Sequence, residues 1–375
     1  MIFASLILMQ GQALAPADPI PGPESWRGSL QAPTDFKIFG RFMQDFAWID
    51  DTAFGTPDGS EARRARIGVS GALAEDLGYK MEVDFASFGA SGAVFTDAFL
   101  QFKGTPVGTV KIGHFKEPFG LNELTSSRFI TFTERNDAFA IGRNAGVLAA
   151  DYTDEMTWQA GVFLDTAKNL DTSGNSGAVT GRFVYRPVYS DGGAELVHVG
   201  AAVSVRENES GSYSWSTRGG IHLLEGKMAS AAMLADDLTL VGIEGAWQSG
   251  PTHIEAEFAQ AEGDDDGFTA WYLQGGYFLT GESRGYKTSS AAFNRVKPLT
   301  PWGESGNGAW EVAARVNEVD LSEAVADETA LQIALALNWY LTSHTRISFS
   351  LYSTESDVSG RDDVTGAVVR FGFDF

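Results

Sequence analysis

The chain contains no cysteine, which excludes both a disulfide framework and a thiolate metal site. It also has no stretch of 18 or more continuous apolar residues downstream of its N-terminus, so no transmembrane helix is expected. Any membrane crossing must then be made by strands. Histidine is scarce: His114, His198, His222, His253 and His344 are the full set, and none stands in an H-x-x-x-H spacing. No serine lies in a nucleophile-elbow pattern. An enzyme is therefore not expected, nor a cofactor or a bound metal. Basic residues are outnumbered, 27 Lys and Arg against 49 Asp and Glu, for a net charge of −22. A general nucleic-acid binder needs a basic face to neutralise phosphates, so nucleic acid is not an expected partner.

What the chain does have is glycine (43 residues), 12% aromatics, and alternation. Residues 1–17 read as a signal peptide that lacks a basic start: Ile2 to Met9 is apolar, and small-residue cleavage patterns follow at Ala13-Leu14-Ala15 and Ala15-Pro16-Ala17. Residues 18–35 read as a periplasmic N-terminal segment, and 36–375 as the body of the protein. From Phe36 onward, segments of about ten residues alternate apolar and polar with period two, the pattern of tilted membrane strands. Leu331, Ile333, Leu335, Leu337, Trp339 and Leu341 form one such face, opposed by Gln332, Asn338 and Tyr340. Trp158, Trp247 and Trp339 stand at apolar ends, as in an interfacial girdle.

The segments run roughly 36–48, 62–72, 79–88, 94–103, 107–115, 144–152, 156–164, 178–188, 196–206, 238–249, 253–261, 268–281, 309–318, 330–342, 345–354 and 364–375. This predicts an all-β fold: a transmembrane antiparallel β-barrel of about 16 strands with inward-folded constriction loops. Parity decides residues 215–224, because a seventeenth strand would break closure. Residues 207–237 are accordingly one long outer loop, 116–143 another, and 282–308 a long periplasmic turn. Loops this long are usually functional, and in a wide barrel they can fold inward to set the constriction. A soluble secreted β-sandwich would alternate too, but it would have to bury Leu331, Leu335, Trp339 and Leu341 between two sheets.

Several stretches resemble the phosphate-selective porin family of the O and P type. The most specific is KIGHFKEPFGLNELTSSRFITFTER, residues 111–135; ARRARIGVSG (62–71), GESRGYKTSSAAFNRVKP (281–298), GAWEVAARV (308–316) and NWYLTSHTRISF (338–349) add to it. The resemblance implies a bacterial outer-membrane homotrimer with one pore per barrel, an arginine track leading inward and a lysine cluster at the constriction. It also implies small anions, phosphate above all, as solutes. The track is incomplete here, since Thr217 to His222 keeps only Arg218. A nonselective general diffusion porin is the alternative.

Charge placement can be read independently. A charge facing lipid near midplane costs roughly 2–4 kcal/mol, so strand charges are sent to the lumen. The basic ones are Lys37, Arg41, Arg64, Arg66, Lys80, Lys111, Arg182, Arg186, Arg206, Arg315, Arg346 and Arg370. The inward loops add Lys116, Arg128, Arg135 and Arg143 on one side and Arg284, Lys287, Arg295 and Lys297 on the other. From these, Arg64, Arg66, Lys80, Lys111, Lys116, Arg128, Arg135, Arg218, Arg284, Lys287, Arg295 and Lys297 are the candidate pore-lining, anion-binding residues. Acidic residues collect in the outer loops, among them Asp50, Asp51, Asp58, Asp264 to Asp266, Glu328 and Asp357. They are read as solvating, ahead of a role in bridging lipopolysaccharide through divalent cations.

Overall fold

The structure is a computed structural model and describes residues 35–50, 54–86, 92–135, 141–164, 176–207, 212–264, 267–303, 305–322, 328–358 and 363–375. The expected signal peptide and residues 18–34 of the expected N-terminal segment lie outside those residues, as do Asp51, Asp265 and Asp266, while Asp35 already belongs to the first strand.

Period-two alternation has one stable outcome when neighbouring segments pair antiparallel, and the chain takes it. The strands are β1 (Asp35–Asp50), β2 (Gly59–Ala74), β3 (Leu77–Asp84), β4 (Val94–Thr105), β5 (Gly108–Lys116), β6 (Arg143–Tyr152), β7 (Met156–Leu164), β8 (Gly177–Ser190), β9 (Glu195–Glu207), β10 (Ser212–Thr217), β11 (Ala229–Leu234), β12 (Asp237–Ser249), β13 (Thr252–Glu262), β14 (Gly267–Phe278), β15 (Gly285–Lys287), β16 (Ala292–Asn294), β17 (Ala309–Asp320), β18 (Thr329–Thr342), β19 (Thr345–Ser356) and β20 (Val364–Asp374). Sixteen of them close a barrel, with β9 passing directly to β12 and β14 to β17. The small hairpins β10–β11 and β15–β16 stand apart from it. All sixteen predicted segments are barrel strands, and the parity argument on 215–224 holds. The β10–β11 hairpin inside 207–237 was not expected; its Ser-rich strand lacks the apolar face that marks a membrane strand.

Closure needs the last strand against the first, since an open edge in lipid leaves backbone groups unpaired. β1 pairs β20 from Arg41↔Asp374 to Asp50↔Thr365, and Gly40 and Phe375 exchange two backbone hydrogen bonds of 3.1 Å. Phe42, Phe371 and Phe373 pack along this seam with ring centroids 5.9–6.4 Å apart. The start of β1 and the end of β20 therefore lie at one end of the barrel, the periplasmic one in the topology read from sequence.

Alternation sorts the faces as expected: Ile333, Leu335 and Leu337 are exposed outward while Gln332 and Asn338 on the same strand are buried inside. At the far end the lumen face of β12–β18 is apolar, with Leu240, Ala261, Phe268, Val319 and Ala330 buried. The β10–β11 hairpin fills that space, placing the Trp215 ring 4.2 Å from Phe268. Three outer-loop carboxylates cap backbone N–H groups: Asp58 takes Ile49, Glu328 takes Ser230 and Asp357 takes Thr329.

Candidate functional site

The loop after β5 turns inward because both of its limbs find partners on the lumen wall. At its start, the buried Glu117 carboxylate accepts from Arg206 (3.0 and 3.1 Å), Asn144 (2.6 Å) and Thr180 (2.5 Å). Gly120 has φ 77, a conformation that suits glycine. It opens a single helical turn, α1 (Leu121–Leu124), whose Leu121 and Asn122 N–H groups donate to Glu257 at 2.8 and 2.6 Å. The Tyr272 hydroxyl donates to the same carboxylate at 2.6 Å. Phe119 seats on the bare backbone of Gly242, where a Cβ would lie 3.0 Å from its ring.

The second limb is held by its carbonyls. Phe129, Ile130, Thr131, Thr133 and Glu134 each present a carbonyl oxygen to a wall side chain: Arg284 (3.3 Å), Arg346 (2.7 Å), Asn338 (2.9 Å), Arg370 and Arg315 (3.0 Å), in that order. Irregular backbone inside a barrel must find donors; Arg315, Arg346, Arg370 and Asn338 supply them from the barrel strands and Arg284 from the periplasmic turn. Glu134 then gathers Arg63 (2.8 and 2.9 Å), Arg370 (2.5 Å) and Arg64 (3.8 Å). Burial alone would raise the Glu134 carboxyl, but Arg63, Arg370 and Arg64 hold it well below the ordinary value. Glu123 behaves alike: burial acts upward, yet Lys116 at 2.8 Å and Arg135 at 3.3 Å bring it down to about 2.

With the lumen side of β8–β20 occupied in this way, the open space is displaced toward β1–β7. There a cavity of about 370 Å³ is lined by ten cationic side chains, Arg41, Arg64, Arg66, Lys80, Lys111, Lys116, Arg128, Arg135, Arg143 and Lys287, and by one carboxylate, Asp97. Carboxylates in and behind the lining set the rotamers: from behind, Glu82 takes Arg41 (2.8 Å) and Arg66 (3.2 Å) and Asp84 takes Arg66 (2.6 Å), while the lining Asp97 takes Lys80 and Arg143 (2.8 Å). Lys111 is different. Its ammonium lies over the Phe99 and Phe115 rings at 5.3 and 6.0 Å. Among the described residues neither Lys111 nor Lys287 has a carboxylate within ion-pair distance.

Of the sequence candidates, Arg64, Arg66, Lys80, Lys111, Lys116, Arg128, Arg135 and Lys287 thus meet around one cavity. Arg218 lies further out, in a recess of about 220 Å³ with Arg63, Glu134, His222 and Lys227. Three candidates are placed elsewhere. Arg284 is buried, paired with Glu255 at 2.8 Å and stacked 3.7 Å from Phe293; it pins the loop. Arg295 pairs with Asp374 at the barrel seam, next to Arg128 (3.2 Å), with the Phe129 ring 5.1 Å from both guanidinium groups. Lys297 is exposed and does not line that cavity. Sequence reasoning passed over Gln101, Ser126, Ser127 and Gln159, uncharged lining residues. Strand parity marks Gln101 and Gln159 as lumen-facing; nothing local marks the serines, although Arg41 donates to Ser127 at 2.9 Å.

Comparison with known proteins agrees with this geometry. The model of the family described as phosphate-selective porin O and P matches residues 36–375. The chain is 28% identical to Porin O of Pseudomonas aeruginosa, over 93% of this chain and 91% of that one. Its fold superposes on an anion-selective porin from Comamonas acidovorans with a TM-score of 0.60 at 15% identity, covering 91% of this chain and 99% of that one. Pseudomonas putida OprB gives 0.59 at 11% identity, covering 91% and 94%. A closed sixteen-stranded barrel, an inward loop and a family match over its whole length place the chain in the phosphate-selective porin O and P family, as an outer-membrane porin.

Proposed function

We propose that the ten-cation passage against β1–β7 is the selectivity filter of this anion porin, and that phosphate-type oxyanions are its preferred solutes. The observation that carries the reading is the lining itself, ten cations facing the cavity with one carboxylate among them and their partners Glu82, Asp84, Glu123, Glu134 and Asp374 set behind, in a chain whose net charge is −22. A charge in a narrow, partly dehydrated passage acts through a lower effective dielectric than one on an outer loop, and loop charges are screened beyond about 8 Å. Guanidinium forks match phosphate oxygens, and their partner carboxylates keep them preoriented. Lys111 and Lys287 supply the unneutralised charge, with Lys111 held in place by two aromatic faces. The family description, phosphate-selective porin O and P, supports the phosphate reading, and the family resemblance supports a homotrimer.

The test is block of chloride current by added phosphate in planar bilayers. Wild type should show phosphate-dependent reduction of chloride conductance, and Lys111→Gln with Lys287→Gln should lose most of it while retaining heat-modifiable gel mobility. Undiminished block in that variant would remove these lysines from the filter. No block in wild type would favour general diffusion.

A further inference from the structure

The long periplasmic turn does two unrelated things, and only its first half faces the lumen. Val296 is buried with Phe278, Ala309 and Tyr340, all on the inner side of the wall. Six residues later, Trp302 lies edge-on to Trp339, with ring centroids 5.3 Å apart, and Trp339 stacks on Trp310 at 5.1 Å. Trp310 and Trp339 are a cross-strand pair on the outward face, opposite in parity to the buried Ala309 and Tyr340. The chain therefore crosses the periplasmic rim between 296 and 302 and comes to lie on the outside of the barrel.

Several bonds hold it there. Trp302 N–H donates to the Leu341 carbonyl at 2.7 Å, Gly308 N–H to Thr300 at 3.0 Å, and the Trp339 indole N–H to Asn307 at 2.7 Å. Leu299 N–H donates to the buried Glu282 at 2.9 Å. The close approach depends on glycine: a Cβ at Gly306 would lie 2.3 Å from the Thr300 carbonyl oxygen, and Gly308 has φ 72. The pinned segment nevertheless presents Leu299 at 69% and Trp302 at 54% exposure, and Trp302 joins the outward-facing Trp339 and Trp310 of the barrel wall. At the crossing itself stands Lys297, exposed and, among the described residues, without a carboxylate within ion-pair distance.

We propose that this strap is a phospholipid-binding anchor in the periplasmic leaflet: Leu299 and Trp302 enter the headgroup–acyl boundary, and the Lys297 ammonium meets a lipid phosphate at the rim. The occupant follows from continuity with the lipid-facing belt, from the amphipathic indole cluster at its edge, and from a lysine positioned to reach headgroups. A filter role for Lys297 is thereby replaced by a membrane one.

The cysteine-free chain permits a direct test with one spin label in phosphatidylglycerol vesicles. Leu299→Cys, labelled, should be accessible to oxygen and protected from a nickel chelate, resembling Leu335→Cys on the barrel belt. It should differ from Glu155→Cys in the exposed turn between β6 and β7. Adding Lys297→Gln should raise the nickel-accessible fraction roughly fivefold, the weight of one basic residue at an anionic surface. A label at 299 as nickel-accessible as that at 155 overturns the anchor. Protection that disappears on diluting protein in lipid would assign the strap to a second copy and also overturn it, and no change with Lys297→Gln overturns the phosphate contact.

Discussion

Replacing Glu134 by glutamine isolates the anchoring of the constriction loop from the stability of the barrel. Glu134 accepts from Arg63 through both carboxylate oxygens, at 2.8 and 2.9 Å, and from Arg370 at 2.5 Å. An amide of the same size keeps one oxygen and turns an NH₂ toward the other donor, leaving Arg63 or Arg370 facing a donor, with Asp45 at 2.6 Å the one carboxylate still bonded to Arg370. Removing one partner of a buried ion pair typically costs about 3–5 kcal/mol. Because glutamine retains one acceptor, the lower end applies, and about 3 kcal/mol lowers the ratio of docked to undocked loop roughly a hundredfold. None of the barrel ladder pairings involves Glu134, so the barrel should form and keep its heat-modifiable mobility. Single-channel recordings should show a noisy open state with raised mean conductance, as the 129–135 limb leaves the wall. A Glu134→Gln channel as quiet as wild type, at the same conductance, would refute the claim that this carboxylate holds the constriction.

Two further outcomes follow from the same geometry. The Glu123 and Glu134 carboxyls are depressed in the folded state, so the stability they lend the loop is fully present above the ordinary value of 4.5. It is lost only as pH falls toward about 2; open-channel noise recorded against pH should rise in that window and stay flat above it. Deleting the β10–β11 hairpin uncovers the apolar lumen face around Phe268 and should raise conductance, whereas deleting Asp264 should leave it unchanged; equal effects in bilayer recordings would contradict an inward hairpin.

The barrel was legible in the sequence because its signal is local: lipid on one side of every strand enforces alternation, and closure enforces an even count. The inward loops were legible as lengths and as a family-like stretch, but their contacts were not. Arg64 and Arg284 look alike in sequence, one on a polar strand face and one on a long turn. Only the tertiary arrangement separates an arginine that lines open space from one that donates to Phe129 and pairs with Glu255. The same ambiguity hid the division of the periplasmic turn, where Arg295 reaches inward to Asp374 and Trp302, seven residues on, packs outside.

The zero-current potential of wild-type channels across a potassium chloride gradient bears most directly on the central claim. The chain's net charge of −22, taken alone, calls for cation selectivity, whereas the passage against β1–β7 calls for the opposite sign. A potential of the anion-selective sign, reduced in the Lys111→Gln, Lys287→Gln variant, is the predicted result. A cation-selective or zero potential in wild type would contradict it.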